Sequence, residues 1–289
     1  MIFLSLLTAK SFIFDGKSSD DFNLMIAWIG NSDVDISENG LNLSLQKTNN
    51  KLNRKTNTYG VQSENIVLNF SIVKKDCSEI TRLQSIQINE WLTSSSTSQP
   101  LAFNDNDSYP LHYYAVCTQI EDIIIGGKLI GKQLKFETNS PFAFSEKMIK
   151  HIEVTNSRQI SINNSSNARN NIIYPKVTIS TSSPTIVLEN KTDKKSVTIK
   201  TDSLSSESDG NKHIKIDSYN MMITDKQNKL IPAYKIGWNE AYKSYVTATD
   251  DNITNIYWLR FLREINELLI TGSCKMAIEY EFPRKAGCL

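Results

Sequence analysis

The chain has 289 residues, and its 32 Lys and Arg against 31 Asp and Glu leave a formal charge of +1. That near-balance excludes two whole-chain signatures, the cation surplus of a protein held to duplex DNA by its phosphates and the basic or amphipathic face of a peripheral membrane binder. With 39% hydrophobic, 9% aromatic and 22% charged residues, a chain of this length can bury roughly three quarters of its unfolded surface, in one large or two modest domains under an exterior rich in Asn and Ser.

The first segment, MIFLSLLTAK, has no basic residue before its apolar run, and that run, Ile2 to Leu7, is shorter than the roughly 7 to 15 residues of a secretion signal. Lys10 also stands where small residues precede cleavage, so the segment is expected to be a first strand. No window reaches the roughly 18 apolar residues of a membrane span. Cys77, Cys117, Cys274 and Cys288 form no CxxC pair, which disfavours a zinc or disulfide framework and points to synthesis in a reducing cytoplasm. Sequons such as Asn42-Leu43-Ser44 and Asn252-Ile253-Thr254 arise by chance in so Asn-rich a chain.

The basic cluster Lys47, Lys51, Arg54 and Lys55, interleaved with asparagines, reads first as a solvated loop between strands and second as a nucleic-acid patch. Ile66 to Val73 alternates, with Ile66, Leu68, Phe70 and Ile72 on one face, as a half-buried strand does. One helix follows. Asp76 is its expected cap, with Glu79 completing a capping box, and Ile80, Leu83, Ile88, Trp91 and Leu92 form its stripe before the Ser/Thr run at 93–97. Gly126-Gly127-Lys128-Leu129-Ile130-Gly131-Lys132-Gln133 matches the phosphate-binding loop GxxxxGK[ST] except at its last position. That mismatch removes the hydroxyl that would hold magnesium, and the alternating run from Gln133 to Thr138, with Leu134 and Phe136, follows where a helix would have to start. The expectation is a β-hairpin. An enzyme using Lys128 and Lys132 is the weakest of three functional readings.

The turn signal Asn139-Ser140-Pro141 and the weakly hydrophobic stretch Ser161 to Asn171 bracket a domain boundary, giving domains over 1–145 and 146–289 whose final strands could pack back on the first. The second half alternates through Val177 and Ile179, Ile186 and Leu188, Val197 and Ile199, and Ile214 and Ile216, as an antiparallel sandwich or barrel does. Trp258, Phe261, Leu262, Ile265, Leu268 and Leu269 fall at helical spacing, whereas Cys274, Met276, Ile278, Tyr280 and Phe282 alternate. His112, His151 and His213 lie far apart, no GxSxG elbow occurs, and the pairs Asp20-Asp21, Glu121-Asp122 and Asp250-Asp251 are adjacent residues that face opposite ways on a strand. No catalytic, cofactor or metal residue is therefore assigned.

Three stretches carry a resemblance. They are FIFDGKSSDDF from Phe12, with Phe14, Gly16, Lys17, Ser18, Asp21 and Phe22; the run from Trp91 through Tyr109, Tyr114 and Phe136 to Pro141; and the terminal Trp258-Leu259-Arg260, Thr271-Gly272-Ser273-Cys274 and Glu279 to Lys285, which includes Pro283. In this order the chain resembles a distal tail protein of long-tailed, non-contractile bacteriophages, the Dit-like hub of a siphovirus tail tip. The resemblance implies a mainly β protein: an N-terminal sandwich or barrel-like domain with one helix that closes into a homohexameric ring, and a C-terminal galectin-like β-sandwich. It implies a structural, non-enzymatic component of the virion's tail tip or baseplate, assembled in the host cytoplasm. The implied partners are other copies of itself, the tail-tube protein, a tail-associated or tail-spike protein, and receptor-binding or baseplate proteins. Tape-measure protein and DNA would pass through its channel without specific binding, and no membrane is involved.

The resemblance further implies a hairpin around Arg54, Lys55, Tyr59 and Gly60 that embraces a neighbouring subunit, and a hairpin turning near Glu264 to Glu267. A lumen lined by Asn, Ser, Thr or acidic residues is expected, with the basic cluster away from it. The alternative reading is a host cell-wall carbohydrate-binding adhesin. Trp238 and Glu240 would serve it, but no HxNxR stretch stands upstream.

Overall fold

The structure is a computed structural model that describes residues 9–27, 41–47, 56–63, 65–104, 110–167, 172–202, 204, 206, 208–231, 234–239, 244–249, 253–255 and 257–285. The expected strand at Met1 to Lys10 falls largely outside them. The chain forms two compact units, residues 1–146 with 284–289, and residues 147–283.

The strands of the first unit are β1 (Ser11–Phe14), β2 (Lys17–Ser18), β3 (Leu24–Ala27), β4 (Leu41–Lys47), β5 (Thr56–Ser63), β6 (Val67–Lys74), β7 (Gln99–Asn104), β8 (Leu111–Ile125), β9 (Lys128–Thr138) and β10 (Ala143–Ser145). Its main sheet runs β2-β1-β7-β8-β9-β6-β3, with β10 joined to β8. The β3 end turns back on the β1 end, since Ile26 N–H donates to the carbonyl of Lys10, next to β1. Alternation holds along β6 and β9, where Leu68, Phe70, Ile72, Leu134 and Phe136 are all buried.

The helix, α1, spans Arg82–Thr93, and its cap is not Asp76 but Thr81. Thr81 Oγ1 accepts from Gln84 N–H and Gln84 Oε1 accepts from Thr81 N–H, a capping box five residues later than expected. The shift has a tertiary cause: Ile80 N–H is taken by the Leu129 carbonyl at 2.7 Å, which holds the segment before Thr81 extended. Asp76 instead accepts from the backbone and hydroxyl of Ser78 in a local turn. Starting later turns Leu83 to solvent, 66% exposed, and leaves Ile88, Trp91 and Leu92 as the buried stripe.

The second unit contains β11 (Met148–Val154), β12 (Ser157–Asn164), β13 (Lys176–Thr181), β14 (Thr185–Asn190), β15 (Lys195–Lys200), β16 (Lys212–Asp217), β17 (Met222–Thr224), β18 (Tyr234–Asn239), β19 (Ser244–Thr249), β20 (Ile253–Asn255), β21 (Glu264–Thr271) and β22 (Cys274–Tyr280). The order β11-β22-β13-β16-β17 forms one sheet and β12-β21-β14-β15-β20 the other. Their inward rows, including Val177, Ile179, Leu188, Ile199, Ile214, Leu268, Ile270 and Ile278, make one continuous core. A last strand, β23 (Pro283–Arg284), pairs with β10 and so ends on the first sheet.

The segment from Trp258 to Leu269 is neither a helix nor a hairpin turning near Glu264 to Glu267. Its buried residues have period 2: Tyr257, Leu259 and Phe261, then Asn266, Leu268 and Ile270, while Ile265 is exposed. Phe261 exchanges two backbone hydrogen bonds with Ile173, the chain kinks at Glu264 (φ 72°), and β21 runs straight on to Thr271. The turn comes at Gly272 and carries the chain from one sheet into the other.

Candidate functional site

The N-terminal motif is built by its own short-range chemistry. Asp15 and Gly16 both take positive φ (50° and 75°) between Phe14 and Lys17, which are paired across the two-residue turn. Ser18 then caps a 3-10 turn over Ser19–Phe22: its hydroxyl accepts from Asp20 N–H, and Asp21 accepts from Ser18 N–H. The wholly buried Ser19 hydroxyl accepts from Phe12 N–H, fastening the turn beneath β1. Lys17 stays exposed.

That turn delivers Phe22 to Trp91. The two rings stack at 4.6 Å, Phe12 stacks on Trp91 at 5.3 Å, and Trp91 Nε1 donates to the Phe14 carbonyl at 2.9 Å. Phe14 meets Phe136 edge-on, and Phe136 stacks on Phe70. Of the residues picked out by resemblance, Phe14, Phe22, Trp91 and Phe136 thus form one aromatic cluster in the core of the first unit. Tyr114 stands apart from it, edge-on to Phe144 and His112. Pro141 follows the bend in which Thr138 Oγ1 accepts from Ile66 N–H and donates to the Ser140 carbonyl.

The phosphate-loop look-alike is a hairpin, with Ile125 paired to Lys128 across Gly126-Gly127. Lys128 is exposed, whereas Lys132 has no exposed surface and bonds Asp122 at 2.5 Å. Nothing in the sequence singled out this pair, because a bulge at Ile123/Ile124 shifts the register that would otherwise place Glu121 opposite Lys132. Beyond Ala115, β8 leaves β7 behind, and Ile124 and Ile125 reach the tip 64% and 61% exposed.

In the second unit Trp258 packs against the core, while Arg260 grips Asp193 with two hydrogen bonds, Nε to Oδ2 at 2.7 Å and Nη2 to Oδ1 at 3.0 Å. Tyr257 OH donates to the same Oδ2, and the wholly buried Asn190 donates to the Arg260 carbonyl while accepting from the backbone of Thr192 and Asp193. The Arg260 hydrogen bonds hold the Asp193 carboxyl below the usual carboxylate range, and burial together with that carboxylate pushes the Tyr257 phenol up to about 12. Asn266, also wholly buried, clamps Leu262 through both its N–H and its carbonyl. Gly272 (φ 108°) makes the turn between the sheets, and the Pro283 carbonyl accepts from the Ser166 hydroxyl.

His112, His151 and His213 do not meet. His213 faces Asp209 at 3.3 Å, and no group of three potential metal ligands occurs among the described residues. Among the described residues no helix is long and apolar enough to cross a membrane. Tyr59 and Gly60 lie in β5 and Trp238 in β18, whereas Lys51, Arg54, Lys55, Tyr109 and Glu240 fall outside the described residues.

Residues 7–140 match a family model described as phage tail protein N-terminal domain. No curated protein matches the chain. Among solved structures, the chain is similar to the Dit protein of phage SPP1, described as a paradigm of the hub adsorption apparatus in phages infecting Gram-positive hosts. The TM-score is 0.58 at 12% identity, over 94% of this chain and 98% of that one. A chain of the phage P2 baseplate in its activated conformation with calcium superposes with a TM-score of 0.48 at 10% identity, over 93% of this chain and 97% of that one. Residues 7–140 are thus similar to the N-terminal domain of phage tail proteins, and the chain shares the fold of a Dit protein.

Proposed function

We propose that the protein is the structural, non-enzymatic hub of a phage tail tip, a homohexameric ring that joins the tail tube to tail-associated and receptor-binding or baseplate proteins. The observation that carries this reading is the end-to-end likeness of both units to a hub protein, combined with a tail-protein family match over the first unit. The placement of the motif residues supports it, because Phe14, Phe22, Trp91 and Phe136 pack a rigid first unit instead of converging on a reactive centre. A head-to-tail interface closes into a ring when its rotation divides the circle. In this reading the hairpin β4–β5 reaches the neighbouring subunit, the second unit is a galectin-like platform, and the axial channel lets DNA pass without holding its phosphates. The site of action is the tail tip of the virion.

Particle imaging of the purified protein tests this, with six-fold rings expected and a protein that stays monomeric at every concentration overturning it. Deleting residues 53–60 is expected to abolish the rings. A second reading, a cell-wall carbohydrate adhesin, draws on Tyr219, 74% exposed and edge-on to Tyr174 beside Asn220. Binding of the monomer to purified host walls would favour it.

A further inference from the structure

Of the large hydrophobic side chains among the described residues, Tyr219 is the most exposed, at 74%. It sits on the turn Ser218 to Met221, which joins β16 to β17 and is closed by the pairing of Asp217 with Met222. The turn is apolar as well as exposed. Met221 and Met222 are 61% and 42% bare, and Met221 holds a φ of 54°, a conformation that glycine or asparagine usually fills. An uncovered apolar turn under strain is costly to keep, and such strain collects at sites that bind.

Tyr219 is also held in place on both sides. Ser218, the residue before it, is wholly buried and its N–H donates to the Pro175 carbonyl at 3.3 Å. Asn220, the residue after it, gives Asp217 two hydrogen bonds, from N–H to Oδ1 at 3.1 Å and from Nδ2 to Oδ2 at 2.9 Å. Tyr174 meets Tyr219 edge-on, with centroids 6.4 Å apart and planes at 67°, so one tyrosine forms a platform and the other a wall. The charges beside them are paired. Lys176 Nζ lies 3.4 Å from Asp217 Oδ2, and Arg260, at whose guanidinium the Tyr174 side chain stands, is gripped by Asp193. Asp217 fills three of its roughly four acceptor positions with Asn220 and Lys176, and Asn220, whose Nδ2 faces Asp217, has its amide oxygen left to accept.

We propose that this platform and wall bind a neutral saccharide: one pyranose lies with its apolar C–H face on Tyr219, its side against Tyr174, and its hydroxyls bonded to Asp217, Asn220 and Lys176. A fixed aromatic surface with a few polar groups at its rim complements a sugar, which is apolar on its faces and polar round its edge. The paired charges favour an uncharged sugar, since a ligand carboxylate would compete with Asp217 for Lys176. The fixed turn lowers the ordering cost of binding. The inference rests on the carbohydrate reading, adds the ligand's charge class and the residues that hold it, and asks nothing of the hexameric ring.

The test titrates the full-length protein, by saturation-transfer NMR, with neutral disaccharides of glucose, galactose and N-acetylglucosamine, and with a galacturonate disaccharide as the charged counterpart. At least one neutral disaccharide is expected to bind with a Kd on the order of 1 mM, and the galacturonate about tenfold more weakly. Tyr219→Ala is expected to weaken neutral-sugar binding about tenfold, and Tyr219→Phe, which keeps the aromatic surface, by less than about twofold. Melting curves of the wild type and both variants should coincide, because the side chain is exposed. Neutral-sugar binding that survives Tyr219→Ala unchanged would overturn the site and leave the carbohydrate reading standing. A preference for the galacturonate would overturn the ligand class. A wild type that binds none of the disaccharides would overturn the site and the carbohydrate reading together.

Discussion

Lys132 and Asp122 show how a charge is carried into a core at the scale of single residues. Lys132 continues the inward row of Leu134 and Phe136, has no exposed surface, and has its ammonium bound by a half-exposed carboxylate. Removing one partner of such a pair strands the other, whereas replacing the buried ion with a similar apolar volume costs little. Asp122→Ala is therefore expected to destabilise the protein by about 3 kcal/mol, and Lys132→Met by less than about 1 kcal/mol, as measured by urea unfolding. Asp193 makes a pH-dependent contribution. Arg260 lowers its folded-state pKa below the ordinary carboxylate value, so the stabilisation is complete above about pH 4 and is lost as pH falls through the lowered value. The melting temperature of Asp193→Asn should lie below that of wild type at pH 6, and the gap should close toward pH 3. A gap that stays constant over that range would contradict this assignment. Neither Asp193 nor Asn190 stands out in the sequence, because each acts on Arg260, 67 and 70 residues away.

At the scale of elements, alternation identified the strands whose faces differ, and it did so because one face of each is buried. The rows through Leu68 and Phe70, Val177 and Ile179, and Met276 and Ile278 are legible for that reason. It failed between Trp258 and Leu269, where apolar residues stand on both the buried and the exposed side and the true period is interrupted by the kink at Glu264. The capping-box pattern misplaced the helix cap at Asp76, because Thr81 with Gln84 fits it as well and a hydrogen bond from Ile80 to Leu129 decides between them. The turn at Gly272 is held more tightly than its sequence suggests. A Cβ there would lie 2.6 Å from both Ile186 Cδ1 and the Thr185 carbonyl, at a φ that side chains rarely adopt. Gly272→Ala is accordingly expected to cost about 2 kcal/mol or more in chemical denaturation.

For the molecule as a whole, the motif from Phe12 to Phe22 supplies aromatics of the first unit's core, whereas the end of β8 that β7 does not cover has no signature of its own. A strand edge is a property of the sheet's order, and no local pattern in Thr118 to Ile125 announces that β7 stops short of it. The formal charge of +1 likewise hides a segmental contrast in sequence, since residues 41–63 hold Lys47, Lys51, Arg54 and Lys55 and no carboxylate, whereas residues 118–125 hold Glu121 and Asp122 and no cation. Because β23 pairs with β10 and residues 284–289 belong to the first unit, residues 147–283 are an insertion held at both ends and not a trailing appendage. Replacing such a unit as a cassette would leave the framework on either side intact. A truncation that simply stopped after Glu146 would also strip the framework of its last strand.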